Sequence, residues 1–153
     1  MILRNLLITL ITLFLCGCGY QSIYSNNNKL NLSIGEIFLK GDLNINRKVL
    51  SLTRIREMKE DKANSYDIKI NSEKINKIIA KDSSGNASIF KMIININVTL
   101  IKENQKKTEK LFTSSFIYNN SPNKFDLTKQ KNTAKEDLVK RLAEKIIVFI
   151  NTQ

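Results

Sequence analysis

The sequence predicts an α+β domain: a two-layer fold with a mixed four-stranded sheet and two helices on one face, in the order strand-helix-strand-strand-strand-helix. Three observations predict it. Apolar residues alternate with polar ones through residues 66–70 and, but for Ile93, 90–100, the period of half-buried strands, and Phe112, Ser114, Phe116 and Tyr118 alternate with Leu111, Thr113, Ser115 and Ile117 in a further strand. Apolar residues recur every three or four residues through 43–59 and again from Asp126 onward, the period of helices. A strand, a helix and a second strand stand before the run of strands, so the first connection is a crossover and the rest is a meander.

Leu30 to Lys40 carries Leu30, Leu32 and Ile34, then Ile37 and Leu39; the alternation changes phase near Gly35, as at a bulge or bend. Gly41 breaks this strand and Asp42 is a candidate helix N-cap. Ile45, Val49, Leu52 and Ile55 follow at spacings of four, three and three, predicting a helix over 43–59. Asp61 to Ser65 reads as a polar linker.

Tyr66, Ile68 and Ile70 alternate with Asp67, Lys69 and Asn71, and the strand pattern continues less cleanly through Ile75, Ile78 and Ile79. Asp82-Ser83-Ser84-Gly85-Asn86 is a turn by composition. Phe90, Met92, Ile94, Ile96, Val98 and Leu100 then share one face, with Ile93 the exception on the other. Glu103 to Lys107 is a charged turn, and Phe112, Ser114, Phe116 and Tyr118 lie on one side of a further strand. Asn119 to Lys124 is a loop holding the only proline, Pro122. In the last helix Ala134, Leu138, Val139, Leu142, Ala143, Ile146 and Ile150 form one stripe, and residues 146–150 are apolar nearly all round, predicting a well-buried end.

The chain begins differently. Arg4 is followed by a largely apolar run from Leu6 to Leu15, about the 7–15 residues of a secretory signal and short of the roughly 20 that span a membrane. Leu15-Cys16-Gly17-Cys18 then resembles a bacterial lipobox. That resemblance implies a signal peptide over 1–17, cleavage after Gly17, diacylglycerol on the Cys18 thiol and acylation of the new amino terminus. Residues 18–29 become a lipidated tether and 30–153 the single domain. Tyr20 and Tyr24 fit either a place at the membrane interface or packing on the sheet.

Composition excludes several chemistries. The chain has no histidine, and its two cysteines are Cys16, lost with the signal, and Cys18, which would carry lipid. A mature fold therefore has no disulfide, no imidazole base and no soft metal ligand, so no cofactor is expected. No G-x-S-x-G, S-x-x-K, phosphate-loop or calcium-loop motif is present, and the carboxylates Asp42, Glu57, Asp67, Asp82 and Asp126 are scattered, so the chain does not read as an enzyme. The formal charge is +11 and loses only Arg4 with the signal. Outside the cytoplasm that charge suits anionic lipid head groups and lipopolysaccharide phosphates rather than nucleic acid. An abundance of Lys, Asn and Ile also follows from an AT-rich genome.

Taken with the tether, the chain resembles the LptE family, the lipopolysaccharide-assembly lipoproteins of the Gram-negative outer membrane. The resemblance rests on Cys18-Gly19-Tyr20-Gln21-Ser22-Ile23-Tyr24, on Tyr66-Asp67-Ile68 with the glycine-containing turn 82–88 before the strand at Ile89-Phe90, and on the closing helix with Ala134, Leu138, Leu142-Ala143 and Ile146. Gln21 and Ser22 depart from the family's basic residue and proline. The resemblance implies an outer-membrane lipoprotein that plugs an LptD-like β-barrel, helps it fold and assists lipopolysaccharide delivery to the outer leaflet. Gly19 after the lipid cysteine, in place of Asp, fits outer-membrane sorting. Alternatives are an auxiliary lipoprotein of another envelope lipid-transport system and a structural envelope-tethering lipoprotein.

Lys77, Lys81 and Lys91 flank the turn at 82–88 and are the candidate lipopolysaccharide-binding residues; the competing reading is solvated strand-end lysines that protect sheet edges. Lys102, Lys106, Lys107 and Lys110 form a second basic cluster at the opposite hairpin end, read as a solvated charged turn.

Overall fold

A computed structural model describes residues 32–57, 65–102 and 105–153, with the side chains of residues 105 and 106 left out. The expected signal peptide over 1–17, Cys18, the expected tether and the side chain of Lys106 lie outside the described residues. The elements are β1 (Ile34–Gly41), α1 (Leu43–Thr53), β2 (Tyr66–Lys81), β3 (Ala87–Lys102), β4 (Gln105–Asn119) and α2 (Lys124–Asn151). They form a single mixed four-stranded sheet, as the sequence predicts, and its strands lie in the order β1-β2-β3-β4. β1 runs parallel to β2 through the α1 crossover, and β2, β3 and β4 pair antiparallel.

The phase change in β1 is a real irregularity: the register with β2 shifts between Ile34 and Ile37. Two carboxylates take up the displaced amides. Asp67 accepts from the Glu36 N–H at 2.9 Å and Glu57 from the Ile37 N–H at 3.3 Å. The strand ends at Gly41, which has φ 83°, a left-handed value that favours glycine; a Cβ there would sit 2.0 Å from the Ser72 carbonyl oxygen. Asp42 then caps α1, its side chain accepting from the Asn44 and Ile45 amides at 3.0 and 3.2 Å. The same corner is tied to β2 by the Asp42 N–H donating to the Ser72 carbonyl and by the Ser72 hydroxyl donating to the Asp42 carbonyl.

α1 is shorter than the spacing predicts. It stops at Thr53 because Arg54 turns left-handed, with φ 56°. Ile55 still reaches the core, 4% exposed, from irregular chain beyond the helix, which is why its spacing mimics a continuing helix. β2 and β3 are both longer than predicted, sixteen residues each. Asp82 closes their hairpin by accepting from the Ser84 and Asn86 amides, both at 2.9 Å.

The core lies between the sheet and the two helices. Ile68 and Ile70 of β2, Ile94, Ile96, Val98 and Leu100 of β3, and Leu142, Ile146 and Ile150 of α2 have no exposed surface. Each such side chain contributes about 1.5–3 kcal/mol of transfer free energy. α2 starts two residues before the sequence pattern, at Lys124, capped by the Asn123 side chain. Its apolar end is not buried all round as expected: Val148 is 56% exposed, on the side turned from the core. Ile93, the exception in its strand, lies on the face without helices and is half-buried there.

Candidate functional site

β1 and α1 cover only the first part of β2. The last β1 pair is Gly41 with Ser72, after which the chain turns into α1. Glu73–Lys81 therefore runs on with β3 as its single strand neighbour. This projecting half of the hairpin carries the candidate lysines.

Register brings two of them together. Lys77 and Lys91 are direct partners across β2 and β3, and Lys91 is in turn the partner of Ile117 on β4. Ile75 and Ile93 form the neighbouring pair on the same face, which no helix covers. Ile117 is 55% exposed. The result is two like charges directly opposed, set among half-exposed isoleucines. Like charges so placed destabilise a sheet. No ion pair forms to Lys77, Lys81 or Lys91 among the described residues.

Lys81 is not part of this pair. It partners Ala87 beside the turn, beyond two register irregularities that follow Ile78, and Ile78 and Ile79 next to it are 55% and 48% exposed. Lys74, which the sequence reading left out, is also exposed on the projecting half. It continues the basic spacing of Lys77 and Lys81, and only the end of β1 at Gly41 marks it as uncovered.

The second cluster has a different character, and its described lysines, Lys102, Lys107 and Lys110, have partners. Lys102 lies over the Tyr66 ring at 5.5 Å, and Lys110 stands 5.5 Å from the Phe112 and Phe149 rings. Lys107 pairs with Glu109 at 3.0 Å. Hydrogen bonds from Asn97 and Lys107 hold the Glu109 carboxyl below its usual range. Lys131 of α2, which the sequence reading missed, sits over Phe90 and Tyr118 at 5.9 and 5.3 Å. These cations are engaged with the fold, whereas the hairpin lysines are free of it.

Among the described residues no three Asp, Glu, His or Cys side chains converge as a metal site, and no helix is long and apolar enough to cross a membrane.

The fold defines a class: an α+β domain of the kind seen in solved bacterial lipoproteins. No family profile and no curated protein matches the chain by sequence. Solved structures do match by fold. The rare lipoprotein B from Shewanella oneidensis is 9% identical with a TM-score of 0.59, over 77% of this chain and 95% of that one. A minor lipoprotein from Acinetobacter baumannii is 9% identical with a TM-score of 0.61, over 81% and 94%. Lipoprotein B from Nitrosomonas europaea is 12% identical with a TM-score of 0.60, over 83% and 87%. At these identities the likeness establishes a shared fold.

Proposed function

We propose that this chain is an outer-membrane lipoprotein, anchored through lipid on Cys18, that plugs and helps assemble an LptD-like β-barrel and assists delivery of lipopolysaccharide to the outer leaflet. The observation that carries the reading is the opposed Lys77–Lys91 pair among Ile75, Ile93 and Ile117. A phosphorylated, acylated lipid matches both parts of that surface. Its phosphates relieve the repulsion between two ammonium groups through charge-assisted hydrogen bonds, and its hydrocarbon covers the isoleucines. The lipobox and the fold shared with three bacterial lipoproteins support the anchoring. The role is binding and assembly rather than catalysis, in keeping with a chain that has no histidine.

Purification of the chain in mild detergent from its native membrane tests this. A large β-barrel protein at near-equal stoichiometry, with lipopolysaccharide bound, is the expected result. Recovery without any barrel protein overturns the plug reading.

A further inference from the structure

The sheet has two open edges, and the chain treats them differently. The projecting half of β2 carries Lys74, Lys77 and Lys81 and is broken by two register irregularities. Both devices discourage a further strand from adding. β4 is the other edge and has no neighbour beyond it among the described residues. Its register with β3 runs without a break from Ile89 to Leu100. From Leu111 to Asn123 it and its following loop contain no charged residue, and the strand part has no glycine or proline. An unbroken, uncharged edge carrying Leu, Phe, Ile, Tyr and Thr is a template for another strand.

The groove beside this edge indicates which strand. It holds about 350 Å³ between β4 and α2, with Phe116 and Ala134 at its base. Its rim is a single stripe of α2: Asp126, Lys129, Asp137 and Arg141. The charges are balanced and symmetric. Asp126 with Arg141, and Lys129 with Asp137, share a midpoint at residues 133–134, beside Phe116. A two-fold axis there sets each acid against a base of the mate. Ser115, at the middle of Leu111–Asn119, then meets its own copy in an antiparallel pair. In that register Tyr118 lies opposite Phe112 of the second copy and Ile117 opposite Thr113, so no like charges face each other. The exposed Leu111 and Ile117, at 62% and 55%, gain cover.

We propose that this chain pairs with a second copy of itself through β4 and the charged stripe of α2, forming an isologous dimer with a continuous eight-stranded sheet. The dimer is the form of the chain outside the barrel, whose lumen takes a single copy; its interface is separate from the hairpin lysines and does not rest on their reading.

Sedimentation of the full-length chain in detergent, over a concentration series at about 0.15 M salt where the Debye length is about 8 Å, tests the proposal. Wild type is expected to show a monomer–dimer equilibrium. Ser115→Lys puts two lysines on the axis at an exposed position and should raise the dimer Kd about tenfold or more with an unchanged circular dichroism spectrum. Lys129→Asp should weaken the dimer, and adding Asp137→Lys in the same chain should restore it. A wild-type chain that stays monomeric overturns the proposal, including the case in which a strand of another protein occupies β4. So does a dimer indifferent to Ser115→Lys, or a double reversal that fails to rescue.

Discussion

Lys77 and Lys91 are direct cross-strand partners in an antiparallel pair, with Ile117 next along the row and no carboxylate bridging them among the described residues. The fold holds two ammonium groups opposite each other at a cost. Mutual screening by solvent keeps that cost small, and an anion between them removes it.

Replacing Lys77, Lys81 and Lys91 by Gln should therefore leave the melting temperature unchanged or slightly raised, since a like-charge pair of about 0.2–1 kcal/mol is lost. Lipopolysaccharide affinity should fall, most at low ionic strength. Lys102, Lys106 and Lys107 changed to Gln form the matched control. Titration calorimetry with lipopolysaccharide checks both. Equal losses in test and control mean that binding follows net charge and not this surface.

Ile96 is fully buried on the helix-facing side of β3, and Asn97 is turned to the opposite face. Ile96→Lys should cost several kcal/mol, because an ammonium group is left unpaired in the core. Asn97→Lys should be nearly neutral, since the exposed hydrogen bond from Asn97 to Glu109 can be replaced by an ion pair to the same carboxylate. Urea unfolding of the two variants measures the gap, and equal midpoints would contradict the strand register.

Two glycines have left-handed φ, 83° at Gly41 and 82° at Gly85, but different surroundings. A Cβ at Gly41 meets the Ser72 carbonyl at 2.0 Å, and one at Gly85 meets nothing within 4 Å. Gly85→Ala should cost roughly 1–2 kcal/mol from backbone strain alone. Gly41→Ala should cost clearly more, since the corner linking β1, α1 and β2 must open. Thermal denaturation separates them, and a Gly41→Ala chain as stable as Gly85→Ala would show that the corner yields freely.

Anchoring should depend on the Cys18 thiol. Cys18→Ser is expected to accumulate as an unprocessed, unlipidated precursor, while Cys16→Ser is processed normally because a small residue suffices there. Metabolic labelling with a radioactive fatty acid gives the answer; label on Cys18→Ser would remove the lipobox reading.

Periodicity made the central elements legible. The even-numbered face of β3 and the stripe of α2 are core positions because burial of one face writes alternation, or a three-to-four spacing, directly into the chain. The bulge near Gly35 and the cap at Asp42 were legible for the same local reason. Where the pattern blurred after Ile70, the strand had left the helix layer, so no buried face was left to impose alternation. Ile55 misled because side-chain spacing does not report that Arg54 has turned left-handed.

By itself, then, the sequence determined the element types, the core faces and the basic character of the hairpin. Only the tertiary structure decided that Lys77 meets Lys91, that Lys102, Lys107 and Lys110 are engaged by partners, and that the uncharged run from Leu111 lies on an open edge facing a charge-balanced helix stripe. The division has one physical cause. Hydrophobic period is set by each residue's own burial, whereas register, edge position and charge partners arise between segments far apart in the chain, and exist only once the sheet has closed around its core.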